Sequence, residues 1–313
     1  MENQKKYWQN KKVVITGGAG FLGQHLVKKL KLFNPKHIFI PQSSIYDLRQ
    51  FKQCLKVFKN CDLVIHLAAN VGGIGYNQTY PADLFDDNVL IGINCLRAAR
   101  QTKVKKFVTI GTVCSYPKHT SVPFKEEDLW QGYPEETNAP YGIAKLVSLV
   151  QAQAYRQQYG FNAIHLLQVN LYGPGDNFNP KSSHVIPALI KKFVKAKEKN
   201  QPSVTIWGTG KATREFLYVE DAAEGILMAA EKYNQKEPIN LGSGKEISIR
   251  QLAKTIKILI GYTGKIVWDK TKPDGQPKRR LDVSKARKQF GFQVKTSFET
   301  GLTKTIDWYK QNL

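Results

Sequence analysis

Tyr141 and Lys145 stand four residues apart in Tyr-Gly-Ile-Ala-Lys, a spacing that brings both side chains to one face of a helix. Asn138 and Pro140 mark where that helix starts. An ammonium beside a phenol lowers the phenol's pKa, and such a phenol can pass its proton to a carbonyl oxygen as hydride reaches the carbon. Thr112, at the end of the apolar run Phe107 to Ile110, offers a hydroxyl to the same developing oxyanion. Upstream, Thr16-Gly17-Gly18-Ala19-Gly20-Phe21-Leu22-Gly23 sets Gly17, Gly20 and Gly23 three apart, where an apolar strand passes into an amphipathic stretch. Glycine there lets the backbone turn sharply and approach a pyrophosphate, whose charge then rests on a helix N-terminus. These residues together read as a dinucleotide site joined to a proton donor.

The second strand, His37 to Ile40, runs into Pro41-Gln42-Ser43-Ser44 without the acid that would bind a ribose 2′-hydroxyl. Nothing there repels a 2′-phosphate, and Ser43, Ser44 and Lys36 are available as donors to one, which favours NADP(H). Asp47 has two readings, an acceptor for the adenine amino group or a helix cap.

Short apolar runs at Val13 to Thr16, His37 to Ile40, Leu63 to Leu67, Phe107 to Ile110 and Ala163 to Gln168 alternate with helical patterns. That alternation predicts an α/β fold, a Rossmann-type doubly wound parallel sheet. After residue 172 turn-rich segments surround shorter elements, as expected of a smaller C-terminal α/β substrate domain. The expected division is 1–172, with 215–242 returning to it, against 173–214 and 243–313.

With 313 residues and 42% hydrophobic composition the chain has ample material for a core, which excludes disordered and disulfide-scaffold classes. No apolar run nears the roughly 18 residues of a membrane span, and the first ten residues are polar, so a soluble cytoplasmic protein without a membrane partner is expected. The cysteines at 54, 61, 95 and 114 form no CxxC pair and the six histidines no i, i+4 pair, so neither a disulfide framework nor a metal is expected. The net charge of +22 is spread along the chain without a nucleic-acid-binding signature. It favours a small polyanionic substrate over nucleic acid as partner.

TGGAGFLG, Asp62-Leu-Val-Ile-His66-Leu-Ala-Ala69, Thr112 ahead of the Tyr141/Lys145 motif, and Asn170-Leu-Tyr-Gly-Pro174 resemble the extended short-chain dehydrogenase/reductase superfamily over nearly the whole chain. Val71-Gly-Gly-Ile74, Cys114-Ser-Tyr-Pro-Lys118, Ser183-His184-Val-Ile-Pro-Ala188 and Arg214-Glu-Phe-Leu217 resemble its GDP-L-fucose synthases. The resemblance implies NADPH-dependent 3,5-epimerisation and 4-reduction of GDP-4-keto-6-deoxy-D-mannose to GDP-L-fucose. It also implies the roles: Thr112, Tyr141 and Lys145 as catalytic hydroxyl, proton donor and helper lysine, and Cys114 and His184 as epimerisation base and acid. Gly17, Gly20, Phe21, Leu22, Gly23, Ser43, Asp47, Tyr141, Lys145 and His184 are the expected cofactor contacts. Asn170, Lys192, Trp207 and Arg214 are the expected substrate contacts, with Lys192 in place of the family's usual Arg. Gly18-Ala19 replace a His-Arg pair of the family's Gly loop, removing one contact to a 2′-phosphate.

Superfamily dehydratases follow the catalytic Thr with Asp-Glu, whereas Val113-Cys114 follows here and leaves no acid to expel a 6-hydroxyl. The alternatives are an epimerase or reductase of another GDP-4-keto sugar, a 6-deoxyhexose or heptose, and a non-catalytic dinucleotide-binding protein. By the same resemblance, the helical stretches Leu84 to Arg100 and Tyr141 to Tyr159 imply a homodimer.

Overall fold

A computed structural model describes residues 2–313 apart from 181, 273 and 275. In chain order the elements are α1 (Glu2–Trp8), β1 (Lys12–Thr16), α2 (Phe21–Lys31), β2 (His37–Phe39), α3 (Phe51–Phe58), β3 (Leu63–His66), α4 (Ile74–Thr79), α5 (Pro81–Gln101) and β4 (Lys106–Thr112). They continue through α6 (Ala139–Tyr159), β5 (Ala163–Gln168), β6 (Asn170–Tyr172), α7 (Val185–Glu198), β7 (Ser203–Trp207), β8 (Thr213–Tyr218), α8 (Val219–Lys232) and β9 (Ile239–Leu241). The last are β10 (Glu246–Ser248), α9 (Ile249–Ile260), β11 (Lys265–Asp269), α10 (Ser284–Phe290) and α11 (Phe298–Gln311).

Six strands form one sheet in the order β2-β1-β3-β4-β5-β9, every pair parallel. Their apolar runs follow from burial on both faces. Successive side chains of a strand point to opposite sides, so Val13 and Ile15 join the core under α2 and α8 while Val14 joins the core under α3 and α5. The chain steps from β1 to β2 on one side and through β3, β4 and β5 on the other, which opens a crevice above the carboxyl ends of β1 and β3. The fold is the doubly wound parallel sheet that the sequence predicts.

A second apolar core lies beyond it. Leu189, Ile190 and Phe193 of α7 pack with Val204, Ile206, Phe216, Leu252, Ile256, Leu302 and Ile306 around a three-stranded sheet β10-β8-β6 and the parallel pair β11-β7. β8 pairs with β6 here, and the chain re-enters the large layer with α8 and β9. The helices expected at 84–100 and 141–159 run 81–101 and 139–159, with Pro81 and Pro140 in their first turns. Helix α1 was not expected; Trp8, fully buried, anchors it to the large core, and Tyr7 donates to the Ala230 carbonyl at 2.9 Å.

Candidate active site

The Gly loop leaves β1 and turns through Gly17 at φ +68°, the left-handed region; a Cβ there would stand 2.8 Å from the Ala68 backbone nitrogen, in the loop after β3. A Cβ on Gly23 would overlap the Gly17 carbonyl oxygen and come within 2.6 Å of Gly18 Cα. The loop therefore lies flat against α2, whose N-cap, Gly20, supplies no side-chain cap and whose first turn carries no acid. The amides that open α2 at Phe21, Leu22 and Gly23 have no partner within the helix. A bare helix N-terminus behind a close backbone turn fits the pyrophosphate of a dinucleotide.

Beyond β2, Ser43 and Ser44 are exposed at the carboxyl end of the sheet, on the crevice side. Lys36 does not belong with them. It precedes β2, whose first residue His37 pairs with Lys12 at the start of β1, so it sits at the opposite edge of the sheet from the Gly loop. Asp47 is held by Arg49, which the sequence reading missed: Nε donates to Oδ1 at 2.9 Å and Nη2 to Oδ2 at 3.1 Å, while Nη1 reaches Asp87 Oδ1 at 3.1 Å. These bonds hold the Asp47 pKa below the usual carboxylate range.

β4 ends at Thr112, whose Oγ1 accepts from the Cys114 amide at 3.2 Å and starts a tight turn over Val113–Ser115. Ser115 Oγ donates to the Gly142 carbonyl at 2.9 Å, which fastens the turn to the first residues of α6 and sets Tyr141 beside Cys114. Lys145 follows one turn on, with Nζ 5.9 Å from the Tyr141 ring centroid. Burial lowers the Lys145 pKa to about 8. The Tyr141 pKa is raised, by burial first and then by Cys114, against the expectation from the neighbouring cation. Desolvation of the half-buried phenol outweighs an ammonium that is itself weakened by burial.

Cys114 has partners that the sequence did not reveal. Arg279 Nη1 donates to its Sγ at 3.4 Å, and the thiol faces Asn138 Oδ1 at 3.8 Å. Asn138 also accepts from Asn77 Nδ2 at 3.3 Å and donates to Glu135. His184 takes the N-cap position of α7 without a side-chain cap bond, and the residues before it dock on the start of α4, where Gly73 N–H donates to the Ser182 carbonyl at 3.1 Å. The loop of His184 and the turn of Cys114 thus meet the same helix, at Gly73 and, through Asn138, at Asn77. His184 is exposed, and desolvation of its ring lowers its pKa. His66 is buried, with Nδ1 2.7 Å from Thr16 Oγ1.

Trp207, 63% exposed at the end of β7, has two ammonium groups near its ring, Lys192 Nζ at 6.0 Å and Lys272 Nζ at 5.6 Å from the centroid. Lys192 also donates to the Thr205 carbonyl at 3.0 Å, and Lys272 is a further residue the sequence reading missed. Arg214, expected to face a diphosphate, spends its guanidinium on the carbonyls of Thr213 (2.7 Å), Gln276 (2.6 Å) and Asp274 (3.2 Å). Burial and the neighbouring Arg279 lower its pKa to about 10. Asn170 Nδ2 donates to the Glu215 carbonyl at 3.3 Å.

The NAD dependent epimerase/dehydratase family matches residues 13–242. GDP-L-fucose synthase 1 of Arabidopsis thaliana is 40% identical over 304 residues, covering 96% of this chain and 94% of that protein. Among solved structures, a GDP-L-fucose synthetase from Naegleria fowleri bound to NADP superposes with a TM-score of 0.88 at 32% identity, over 97% of this chain and 94% of that one. A GDP-6-OMe-4-keto-L-xylo-heptose reductase from C. jejuni superposes with a TM-score of 0.92 at 28% identity, over 97% and 99%. The chain belongs to the NAD dependent epimerase/dehydratase family and, within it, groups with the GDP-L-fucose synthases.

Proposed function

We propose that the protein converts GDP-4-keto-6-deoxy-D-mannose to GDP-L-fucose, using NADP(H), by epimerising carbons 3 and 5 and reducing carbon 4. The observation that carries this reading is a thiol, Cys114, set between Arg279 and Asn138 in the turn that follows Thr112 and beside Tyr141. A simple 4-reductase has no use for a base at that place, and a dehydratase needs a carboxylic acid there.

A 4-ketone acidifies the hydrogens on carbons 3 and 5. Cys114, as thiolate, takes the proton and the electron pair moves to the oxygen on carbon 4, where the Thr112 hydroxyl meets the charge. His184 returns a proton on the opposite face; its lowered pKa makes the protonated ring the stronger acid. Bound NADPH supplies the hydride that reduces carbon 4. Tyr141 gives its phenolic proton to the oxygen, and Lys145, still protonated below about pH 8, keeps a positive charge beside it. Trp207 packs against base or sugar while Lys192 and Lys272 meet the diphosphate. The six-stranded sheet with α8 and α10 serves the cofactor, and the second core, which takes in β6 and β8 where the sequence division at 172 and 215 places them with the first, serves the nucleotide sugar.

A second reading, a GDP-4-keto-heptose as substrate, is favoured by the likeness to the C. jejuni heptose reductase. Incubation with NADPH and either keto sugar, followed by identification of the product, decides between them. GDP-L-fucose supports the first reading, turnover of the heptose alone supports the second, and oxidation that yields GDP-rhamnose refutes the roles of Cys114 and His184.

We also place the protein in the cytoplasm as a homodimer. No described helix is long and apolar enough to cross a membrane, and α5 and α6 pack side by side with Leu90 and Val150 half exposed on them.

A further inference from the structure

The Arg279 guanidinium closes on Cys114, its Nη1 donating to Sγ at 3.4 Å, and among the described residues no carboxylate lies within ion-pair distance of it. Arg279 is only 7% exposed, and its Nε is fixed on Gln276 Oε1 at 2.5 Å. Gln276 Nε2 in turn donates to the Lys118 carbonyl at 3.0 Å, which ties the Arg279 segment to the chain that carries Cys114. Arg214, whose own N–H groups are committed to carbonyls, adds positive charge from β8 that it shares with the carboxylates of Asp274 and Glu135. From the other elements the sulfur faces the Tyr141 phenol and the Asn138 amide oxygen, with Glu135 behind Asn138. A buried cation costs free energy unless an anion meets it. The thiol form of Cys114 leaves Arg279 without one and the thiolate form provides it.

We propose that Arg279 holds the Cys114 sulfur as the thiolate, acting as a positioning residue for proton abstraction. The inference rests on the reading of Cys114 as the epimerisation base. In the step it serves, the sulfur lone pair forms S–H, the C–H bond breaks, and its electron pair becomes the enolate. Arg279 is then left beside a neutral thiol. Return of that proton to solvent or to His184 restores the thiolate, so each epimerisation balances one proton taken with one given.

The test is the pH dependence of iodoacetamide labelling at Cys114 in the intact protein, read by peptide mass spectrometry for the parent, Arg279→Gln and Arg279→Lys. We expect Arg279→Gln to label about tenfold more slowly at pH 7 and to converge with the parent at high pH, with Arg279→Lys between them. Equal labelling rates at pH 7 in parent and Arg279→Gln overturn the inference. So does slower labelling of Arg279→Gln at every pH, because a change in access rather than ionisation would then be responsible. NADPH binding shows that each variant is folded. Deuterium wash-in at carbons 3 and 5 by Cys114→Ser separates the two claims. Retained wash-in refutes Cys114 as the base even where labelling sustains the role of Arg279, whereas lost wash-in with unchanged Arg279→Gln labelling spares the base and overturns Arg279.

Discussion

Replacing Gly23 by alanine puts a methyl group 2.6 Å from Gly18 Cα and onto the Gly17 carbonyl oxygen. Carbon atoms pack at about 3.5–4.0 Å, so the N-terminus of α2 must move away from the Gly loop by about 1 Å. The partners in the clash are backbone, and Gly17 is itself pinned against Ala68, so no side-chain rotation relieves it. Overpacking of this kind costs about 1–3 kcal/mol, offset by about 1 kcal/mol from alanine's better helix propensity. The fold should survive with a modest loss of Tm. In the proposed site the amides that open α2 hold the pyrophosphate, and a charge-assisted hydrogen bond is worth about 1.5–3 kcal/mol, so losing one should weaken NADPH binding about 10- to 100-fold. NADPH fluorescence titration beside a thermal melt reads both effects. An NADPH Kd within about threefold of the parent's would refute the placement of the pyrophosphate at this helix.

Tyr141→Phe should lower kcat at least about 100-fold while NADPH binding stays near the parent's, because it removes only the proton donor; single-turnover kinetics with a binding titration checks this. Glu215, buried and accepting from the Gly244 and Leu281 amides, has its pKa raised to about 7 by burial, so the folded protein binds its proton more tightly than the unfolded chain does. Its contribution to stability is present below the unfolded value and is lost as pH rises through about 7, by about 3 kcal/mol in all; urea titrations at pH 5 and pH 8 should show a smaller difference for Glu215→Gln than for the parent. Val150, 50% exposed on α6, lies on the proposed dimer face, and Val150→Glu should convert a sedimenting dimer to monomer; a parent that sediments as a monomer at micromolar concentration excludes the interface.

Much of the candidate site's arrangement is legible in the sequence because its parts are local. Gly17, Gly20 and Gly23 lie within one strand-turn-helix unit, Thr112 and Cys114 within one turn, and Tyr141 and Lys145 within one helical turn. Two of the missed residues act across long separations, whereas Arg49, also missed, lies only two positions from Asp47. Arg279 reaches Cys114 over 165 positions, and Lys272 meets Trp207 only because β11 pairs with β7. No periodicity signals such contacts. Lys36 was misplaced because nearness in sequence to Ser43 hides the direction of the strand between them. For Tyr141 the spacing to Lys145 is right and the sign of the pKa shift is wrong, since spacing reveals a neighbouring charge and not the burial of both groups.

The most direct measurement of the central claim is to run the reaction with NADPH and GDP-4-keto-6-deoxy-D-mannose in deuterated water and locate the label in the reduced sugar. The expected product is GDP-L-fucose with deuterium from solvent on carbons 3 and 5 and none on carbon 4, whose hydrogen comes from the cofactor. A reduced sugar with unlabelled carbons 3 and 5 would contradict it.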